Sequence, residues 1–378
     1  MKLPTSFATF LSEIRPTDTQ STAMQRGHRV LRERLQADSV LWNRVIGTFI
    51  QGSYRRMTAI RAKSGERSDV DVVVVTNLPQ SRYPGHKYTA AEAQGLFYDF
   101  ADRHYRNKWR PQGRSIGIEL SDVDVDLVIT SAPSEEQQEV LKAVNAYAIN
   151  EFDTVFGSLN AYSALSMYDN VLAKAETPQW KLEPLYIPNI DQNCWDPTHP
   201  LAQFKWTWEK NRSTSSHYVN IVKVIKWWRR INPRLTVPPK GYPLEHLIGQ
   251  CCPNGIGSVA EGVTLTFEAI VSRYGAWADQ NLVPNLQDHG VPSHNVLARV
   301  QPSDFATFMG EVRAAAVTAR VALDAPTNKA SADKWRELLG TKFPESKTSE
   351  SGLLKTESAS GLSFPDKPIS PNKPGGFA

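Results

Sequence analysis

Aspartates recur at alternate positions in two segments of the sequence, a spacing that suits a metal site. Asp69 and Asp71 begin an apolar, β-branched run that predicts a buried strand over 70–76. Side chains at i and i+2 project from one face of a strand, so the two carboxylates lie side by side, where they repel and resist desolvation. An isolated Asp-x-Asp pair would indicate only a solvated strand start. A cation between the carboxylates is the alternative, and Mg²⁺ fits best because it takes oxygen ligands and leaves positions open for substrate phosphates.

A second run of aspartates favours the metal site over the solvated strand start. Asp122, Asp124 and Asp126 alternate along a segment that continues into an apolar stretch, so Asp126 lies deepest and is the predicted third ligand. Asp124 shares its face and is the alternative, whereas Asp122 is expected to be an exposed turn residue. Three carboxylates that hold two metal ions suit in-line phosphoryl transfer, in which one ion activates the attacking hydroxyl and the other stabilises the leaving group.

A Gly-Ser pair upstream is placed for phosphate binding. The apolar run 45–50 leads through Gln51 into Gly52-Ser53, which predicts a turn from a strand into a helix. Glycine lets backbone amides approach a phosphate, and a helix N-terminus adds the positive end of its dipole. Alone, the pair would indicate only a turn. Its position 16 residues before Asp69, in this order of elements, gives it value.

The elements that must position these residues alternate in type in the first half of the chain. Periodicity predicts helices over three segments: 19–41, 89–109 and 134–156. Two more strands are predicted after the first Asp pair: 114–120 and 123–130. The second half is mostly helical, with an extended connection over 182–190 and four predicted helices: 213–231, 267–281, 303–323 and 331–339. We therefore predict an α+β fold followed by a helical domain, with the active site in the cleft between them.

The order of Gly52-Ser53, Asp69-x-Asp71 and Asp126 resembles the polymerase-β-like nucleotidyltransferase superfamily. Within it, the chain is similar to the bacterial CD-NTases, the cGAS- and DncV-like enzymes of anti-phage signalling. Four second-half segments support the narrower match: 195–200, 222–230 with its lysine before an aromatic residue, 240–245 and 335–344. The stretch between Ser53 and Asp69 is longer than in many nucleotidyltransferases and fits an insertion over the active site.

The resemblance implies a fold, an activity and a set of site residues. It implies a nucleotidyltransferase domain with a mixed sheet over 1–180, whose N-terminal helix packs across both lobes, and a helical domain over 181–344. The expected enzyme joins nucleoside triphosphates, ATP and GTP above all, into a cyclic di- or trinucleotide and releases pyrophosphate. Two Mg²⁺ ions, which Mn²⁺ could replace, would bind three carboxylates: Asp69, Asp71 and Asp126. Nucleotide binding is expected at four residues: Gln51, Gly52, Ser53 and Lys226.

The last segment of the chain differs in composition from the rest. Residues 345–378 include seven Ser, four Pro and four Gly and few large apolar side chains, so we predict a disordered tail. The resemblance implies that a ubiquitin-transfer-like partner joins such a tail, through its terminal Ala378, to other molecules in CBASS defence. The simpler interpretation is a mobile end without function.

Composition excludes several classes of protein. The 378 residues are 40% hydrophobic and 22% charged, as in soluble globular proteins, and no apolar run approaches the roughly 18 residues that would span a membrane. A net charge of +4 argues against an extended nucleic-acid partner. Three cysteines without metal-ligand spacing, and no secretory signal, predict a cytoplasmic protein. Two alternatives stay open: another nucleotidyltransferase, such as a poly(A)-type, tRNA-end, small-molecule or protein-modifying enzyme, and a degenerate nucleotide sensor.

Overall fold

The computed structural model describes residues 1–78, 88–132 and 183–346, which belong to one compact unit. The described first part contains five helices: α1 (Pro4–Ile14), α2 (Asp18–Ala37), α3 (Gly52–Arg55), α4 (Ala90–Gly95) and α5 (Tyr98–Tyr105). Six helices follow in the described second part: α6 (Pro200–Ser213), α7 (Tyr218–Ile231), α8 (Tyr242–Cys251), α9 (Val259–Asp279), α10 (Pro302–Asp324) and α11 (Asn328–Leu339). In these ranges no helix is both long and apolar enough to cross a membrane.

A mixed sheet occupies the first half of the described chain. Its strands are β1 (Val45–Gln51), β2 (Ser68–Thr76), β3 (Trp109–Pro111), β4 (Ile116–Glu119), β5 (Val123–Ser131), β6 (Leu185–Asn189) and β7 (Cys194–Thr198). The main order is β1-β2-β5-β4-β3, and β6 pairs with both β5 and β7. Only β2 and β5 run parallel among the described pairings, and they pair without a register shift along their full length. These two central strands carry the aspartates.

The two faces of the sheet are covered differently. On one face, residues such as Val70 and Val72 of β2 and Val125 of β5 join a large apolar core with α2, α4 and α5. On the other face a small apolar cluster, which includes Val73, covers only the C-terminal ends of β2 and β5. The N-terminal ends on that face carry the aspartates instead. The strict alternation of side chains along the strands therefore separates the core from the polar site.

The helical region has its own core, and the N-terminal segment contributes to both cores. Phe7 and Phe10 of α1 pack among α7, α9 and α11, and Phe7 makes edge-on ring contacts 5.0 Å from Trp335 and 5.1 Å from Phe343. The next helix, α2, packs on the sheet through side chains such as Leu31. The first two helices thus tie the helical region to the sheet.

The structure confirms the predicted α+β class and the order of its main elements. The predicted helix over 89–109 is two short helices and a strand, because α4 ends at Gly95 and Asn107 takes a positive φ of 60° just before β3. Within the described ranges, three helices were missed: α1, α6 and α8. Each has a proline at its first or second position, a start signal that hydrophobic periodicity does not contain. The predicted helix over 134–156 and the tail beyond 346 lie outside the described residues.

Candidate active site

The aspartates of β2 and β5 face one another in pairs. In the parallel ladder Asp69 lies opposite Asp124, and Asp71 lies opposite Asp126. Parallel neighbours in register project their side chains from the same face, so four carboxylates share one patch. The structure therefore brings together the three predicted ligands and the alternative, Asp124.

Three of these carboxylates hold their protons more tightly than usual. Desolvation by burial, followed by the negative charges of Asp71 and Asp124, raises the pKa of Asp69 to about 7. Desolvation and the charge of Asp126 raise the pKa of Asp71 to about 6. Desolvation and the charge of Asp69 likewise raise the pKa of Asp126 to about 6. Concentrated negative charge of this kind is what a bound cation relieves.

Asp124 differs from the other three aspartates because its carboxylate forms an ion pair with an arginine. The Arg67 guanidinium donates to Asp124 with Nε 2.6 Å from Oδ1, and it also reaches Glu119 at 2.9 Å. Asp126, one step deeper, is paired with Gly117 of β4 in the ladder, where the missing side chain leaves room for Gln112 beside the carboxylate. A hydrogen bond from Gln112 opposes part of the rise in the pKa of Asp126. The ion pair thus leaves Asp126 as the less compensated of the two.

Gly52 lies directly against the carboxylates. It begins α3 with φ +73°, and a Cβ atom built on it would lie 1.8 Å from Oδ2 of Asp71. Gln51, the residue before it, is paired with Asp71 in the β1–β2 ladder. The carbonyl of Ser53 accepts hydrogen bonds from the amides of Thr58 and Ala59, which fixes the turn. Only glycine permits both this conformation and this approach.

Lys226 comes to the site from the helical region. Its Nζ lies 2.9 Å from Oε1 of Glu245 on α8 and donates to the carbonyl of Thr58, also at 2.9 Å. Its positive charge lowers the otherwise raised pKa of Asp69. The predicted phosphate-binding lysine therefore lies beside the carboxylates and within a buried ion pair.

Two residues of this ion-pair cluster were missed from the sequence. Arg56 Nε lies 3.0 Å from Oε2 of Glu245, and the hydroxyl group of Thr58 donates a hydrogen bond to the same oxygen at 2.9 Å. The side chains of Arg56 and Glu245 are only 9% and 5% exposed. Burial would raise the pKa of Glu245, but the charges of Arg56 and Lys226 outweigh it and lower that pKa to about 2. The only signal was local: Arg56 follows the Gly-Ser turn, and Glu245 ends a segment already noted.

The donor set fits a magnesium site. Asp69, Asp71 and Asp126 supply only carboxylate oxygens, the ligands that Mg²⁺ prefers, and their raised pKa values reflect uncompensated negative charge. With the side chains in their present positions, the described ranges contain no group of three or more His, Cys, Asp or Glu residues that could hold a metal ion. Carboxylates repel without a cation, so binding requires these side chains to rotate toward one another on strands already in register.

Comparison with known proteins shows the family to which this chain belongs. Residues 1–154 match the model of the Second Messenger Oligonucleotide or Dinucleotide Synthetase domain. The chain is 40% identical to the cyclic AMP-AMP-GMP synthase of Enterobacter hormaechei and to the probable cyclic AMP-AMP-GMP nucleotide synthase of Salmonella paratyphi B, over all of each chain. The chain belongs to the CD-NTase family. The predicted family and activity class, a nucleotidyltransferase that makes a cyclic oligonucleotide second messenger, are thereby confirmed.

A solved CD-NTase structure confirms the fold independently. The structure of CdnC from E. coli MS115-1 with ATP superposes with a TM-score of 0.60 and 15% identity, covering 91% of this chain and all of that one. At 15% identity, this match is evidence for the fold alone. The terminal Ala378, the predicted conjugation point of this CD-NTase, lies outside the described residues.

Proposed function

We propose that this CD-NTase synthesises cyclic AMP-AMP-GMP from two molecules of ATP and one of GTP. The paired carboxylates of β2 and β5 are the observation that carries this proposal, because they supply a nucleotidyl-transfer site beside a glycine turn. The product is suggested by the activity named for the relatives from Enterobacter hormaechei and Salmonella paratyphi B, which match along their full lengths. Its role would be that of a second messenger in CBASS defence against phage.

Three carboxylates would form the metal site: Asp69, Asp71 and Asp126. Two Mg²⁺ ions, or Mn²⁺ in their place, would supply positive charge to the phosphates and increase the acidity of the acceptor hydroxyl. Asp126 is preferred to Asp124 because the side chain of Asp124 is already engaged in a 2.6 Å ion pair with Arg67. Asp126 is also the residue we assign to accept the acceptor proton.

The phosphates of the donor nucleotide would lie over the turn at Gln51, Gly52 and Ser53. Because Gly52 has no side chain, its backbone lies against Asp71. The backbone amides of the turn and the predicted metal ligands are therefore close together. Lys226 would neutralise charge that builds on the departing pyrophosphate, since the charge of its ammonium group already acts on Asp69. Its ion pair with Glu245 holds that ammonium group in position before substrate arrives.

Product analysis tests this proposal. The purified protein is incubated with all four NTPs and Mg²⁺ or Mn²⁺, treated with phosphatase, and its products are identified by mass spectrometry. We expect a phosphatase-resistant cyclic trinucleotide of two AMP units and one GMP unit, absent from the Asp69→Asn/Asp71→Asn double variant. A double variant with wild-type activity would remove the metal-site assignment. Elongation of an added RNA acceptor instead of cyclisation would indicate a polymerase-type enzyme.

We also propose that the C-terminal tail is a conjugation site. Its sequence ends in Gly375-Gly376-Phe377-Ala378, and a ubiquitin-transfer-like partner would join the carboxyl group of Ala378 to an amine of another molecule. Deletion of the last residues should remove conjugates from cells that carry the partner and leave nucleotide synthesis unchanged. Conjugates that persist in the truncated protein would refute the assignment.

A further inference from the structure

An arginine directly before β2 belongs to a network of alternating charges beside the aspartate patch. Arg67 Nε lies 2.6 Å from Oδ1 of Asp124 on β5, and Arg67 Nη2 lies 2.9 Å from Oε2 of Glu119 on β4. The other carboxylate oxygen of Glu119 accepts a hydrogen bond from Arg110 on β3, at 2.5 Å. Because β5, β4 and β3 are successive neighbours in the sheet, the network begins at one of the four aspartates and extends outward from the patch.

This network restrains an aspartate that lies within reach of the metal site. Asp124 is opposite Asp69 in the parallel ladder, and neighbouring strands of a sheet are about 4.8 Å apart. Rotation about the side-chain bonds of Asp124 would therefore bring its carboxylate to ions that Asp69 holds. Arg67 opposes this rotation with a hydrogen bond between charged groups, and its second hydrogen bond, to Glu119, fixes the guanidinium group itself. Such a network holds a side chain better than an isolated exposed pair does.

A fourth carboxylate at the metal ions would change what the site can bind. Mg²⁺ is usually held by a few carboxylates and keeps its other positions for water and substrate phosphates. Three carboxylates leave two divalent ions with a net positive charge, whereas a fourth in contact with them would cancel that charge. A triphosphate requires both the open positions and the positive charge. A site closed by Asp124 would therefore bind metal ions more tightly before substrate arrives, and it would attract the phosphates less.

We propose that Arg67 is a positioning residue that keeps Asp124 out of the metal site. This inference rests on the proposed function, in which three other carboxylates of the patch hold the two ions. Arg67 thereby makes a patch of four aspartates act as a site of three. The ions then bind weakly to the free protein, and their coordination is completed by the phosphates of the substrate.

Metal binding to the full-length protein without nucleotide tests this role apart from catalysis. Mn²⁺ is the probe, and the free ion is measured by electron paramagnetic resonance during a titration. Arg67→Met should bind Mn²⁺ at least about tenfold more tightly than the wild type, because a carboxylate about 4 Å from a divalent ion attracts it by roughly that factor even in bulk water. Arg110→Met is the matched control, since it removes the same charge from the far end of the network. Its affinity for Mn²⁺ should stay within about threefold of the wild type.

Two double variants of equal net charge separate a released ligand from a simple change of charge. Arg67→Met/Asp124→Asn removes the released carboxylate and should return to the wild-type affinity for Mn²⁺. Arg67→Met/Glu119→Gln keeps that carboxylate and should retain the tighter binding. Because Arg67 and both of its partners are partly exposed, these variants should fold, as their urea midpoints would show. The inference is overturned if Arg67→Met binds Mn²⁺ as the wild type does, or if the two double variants bind it equally. Product analysis of the wild type tests the proposed function separately, since it does not measure these differences.

Discussion

The contact between Gly52 and Asp71 gives the sharpest test of how the site is built. A Cβ atom on Gly52 would lie 1.8 Å from Oδ2 of Asp71, about 1.6 Å closer than the 3.4 Å at which ordinary van der Waals contact begins. In Gly52→Ala, the carboxylate or the strand that carries it must move by roughly that distance. Misplacement of a reacting group by about 1 Å can reduce turnover a hundredfold. We therefore expect Gly52→Ala to reduce product formation by at least about a hundredfold.

Gly65 provides a matched control. It has φ +81°, close to the +73° of Gly52, but no atom lies within 4 Å of a Cβ atom built on it. Both alanine substitutions therefore carry the same left-handed strain, about 1–2 kcal/mol each, and only Gly52→Ala adds a collision with a metal ligand. Unfolding in urea should show similar losses of stability for the two variants, apart from what the collision adds.

The assay measures initial rates of pyrophosphate release from ATP and GTP beside the unfolding free energies of both variants. Gly65→Ala should retain activity close to that of the wild type. If the two variants lose the same fraction of activity, strain alone explains the effect. The contact between Gly52 and Asp71 then has no catalytic role, and the reasoning is refuted.

Three further predictions concern charge. Glu245→Gln leaves the buried cations Arg56 and Lys226 uncompensated and should destabilise the protein by about 3–5 kcal/mol, as measured by urea unfolding. Asp333→Asn, which breaks an exposed ion pair, is the control and should cost less than about 1 kcal/mol. The pKa of Glu245 is lowered to about 2 in the folded protein. Its carboxylate therefore contributes fully to the unfolding free energy above its unfolded pKa, and this contribution is lost as pH falls from about 4.5 toward 2. Glu245→Gln should lack this pH dependence. Asp126→Asn should reduce turnover more than about a hundredfold. Asp124→Asn removes a partner of Arg67, and its turnover should stay within about tenfold of the wild type. Equal losses in the two variants would contradict the choice of Asp126 as the third ligand.

The sequence predicted those parts of the site whose signal is local. Alternating aspartates before an apolar run define a strand with a polar end, and both β2 and β5 follow this pattern. Their pairing is a different matter, because α4, α5, β3 and β4 separate them along the chain. The register that sets Asp71 opposite Asp126 therefore follows from packing on both sides of the sheet and has no local signature.

Contacts between distant segments were the main omission. Glu245 is 189 residues from Arg56 and 19 from Lys226, and nothing in its surroundings indicates a buried carboxylate. The ion pair of Arg67 with Asp124 spans 57 residues and distinguishes Asp124 from Asp126 by a criterion that side-chain periodicity does not contain. Composition correctly indicated a globular protein, but it could not show which charges meet.

The charges of the site differ in how they are compensated. Glu245 pairs with both Arg56 and Lys226, and Arg67 pairs with Asp124. By contrast, no ion pair in the described ranges joins Asp69, Asp71 or Asp126 to a cation. Burial and the negative charges of neighbouring carboxylates raise the pKa of each of these three groups. A divalent cation relieves such repulsion, and Mg²⁺ takes carboxylate oxygens while it leaves positions open for substrate phosphates. The uncompensated carboxylates therefore support the proposed metal-dependent nucleotidyl transfer.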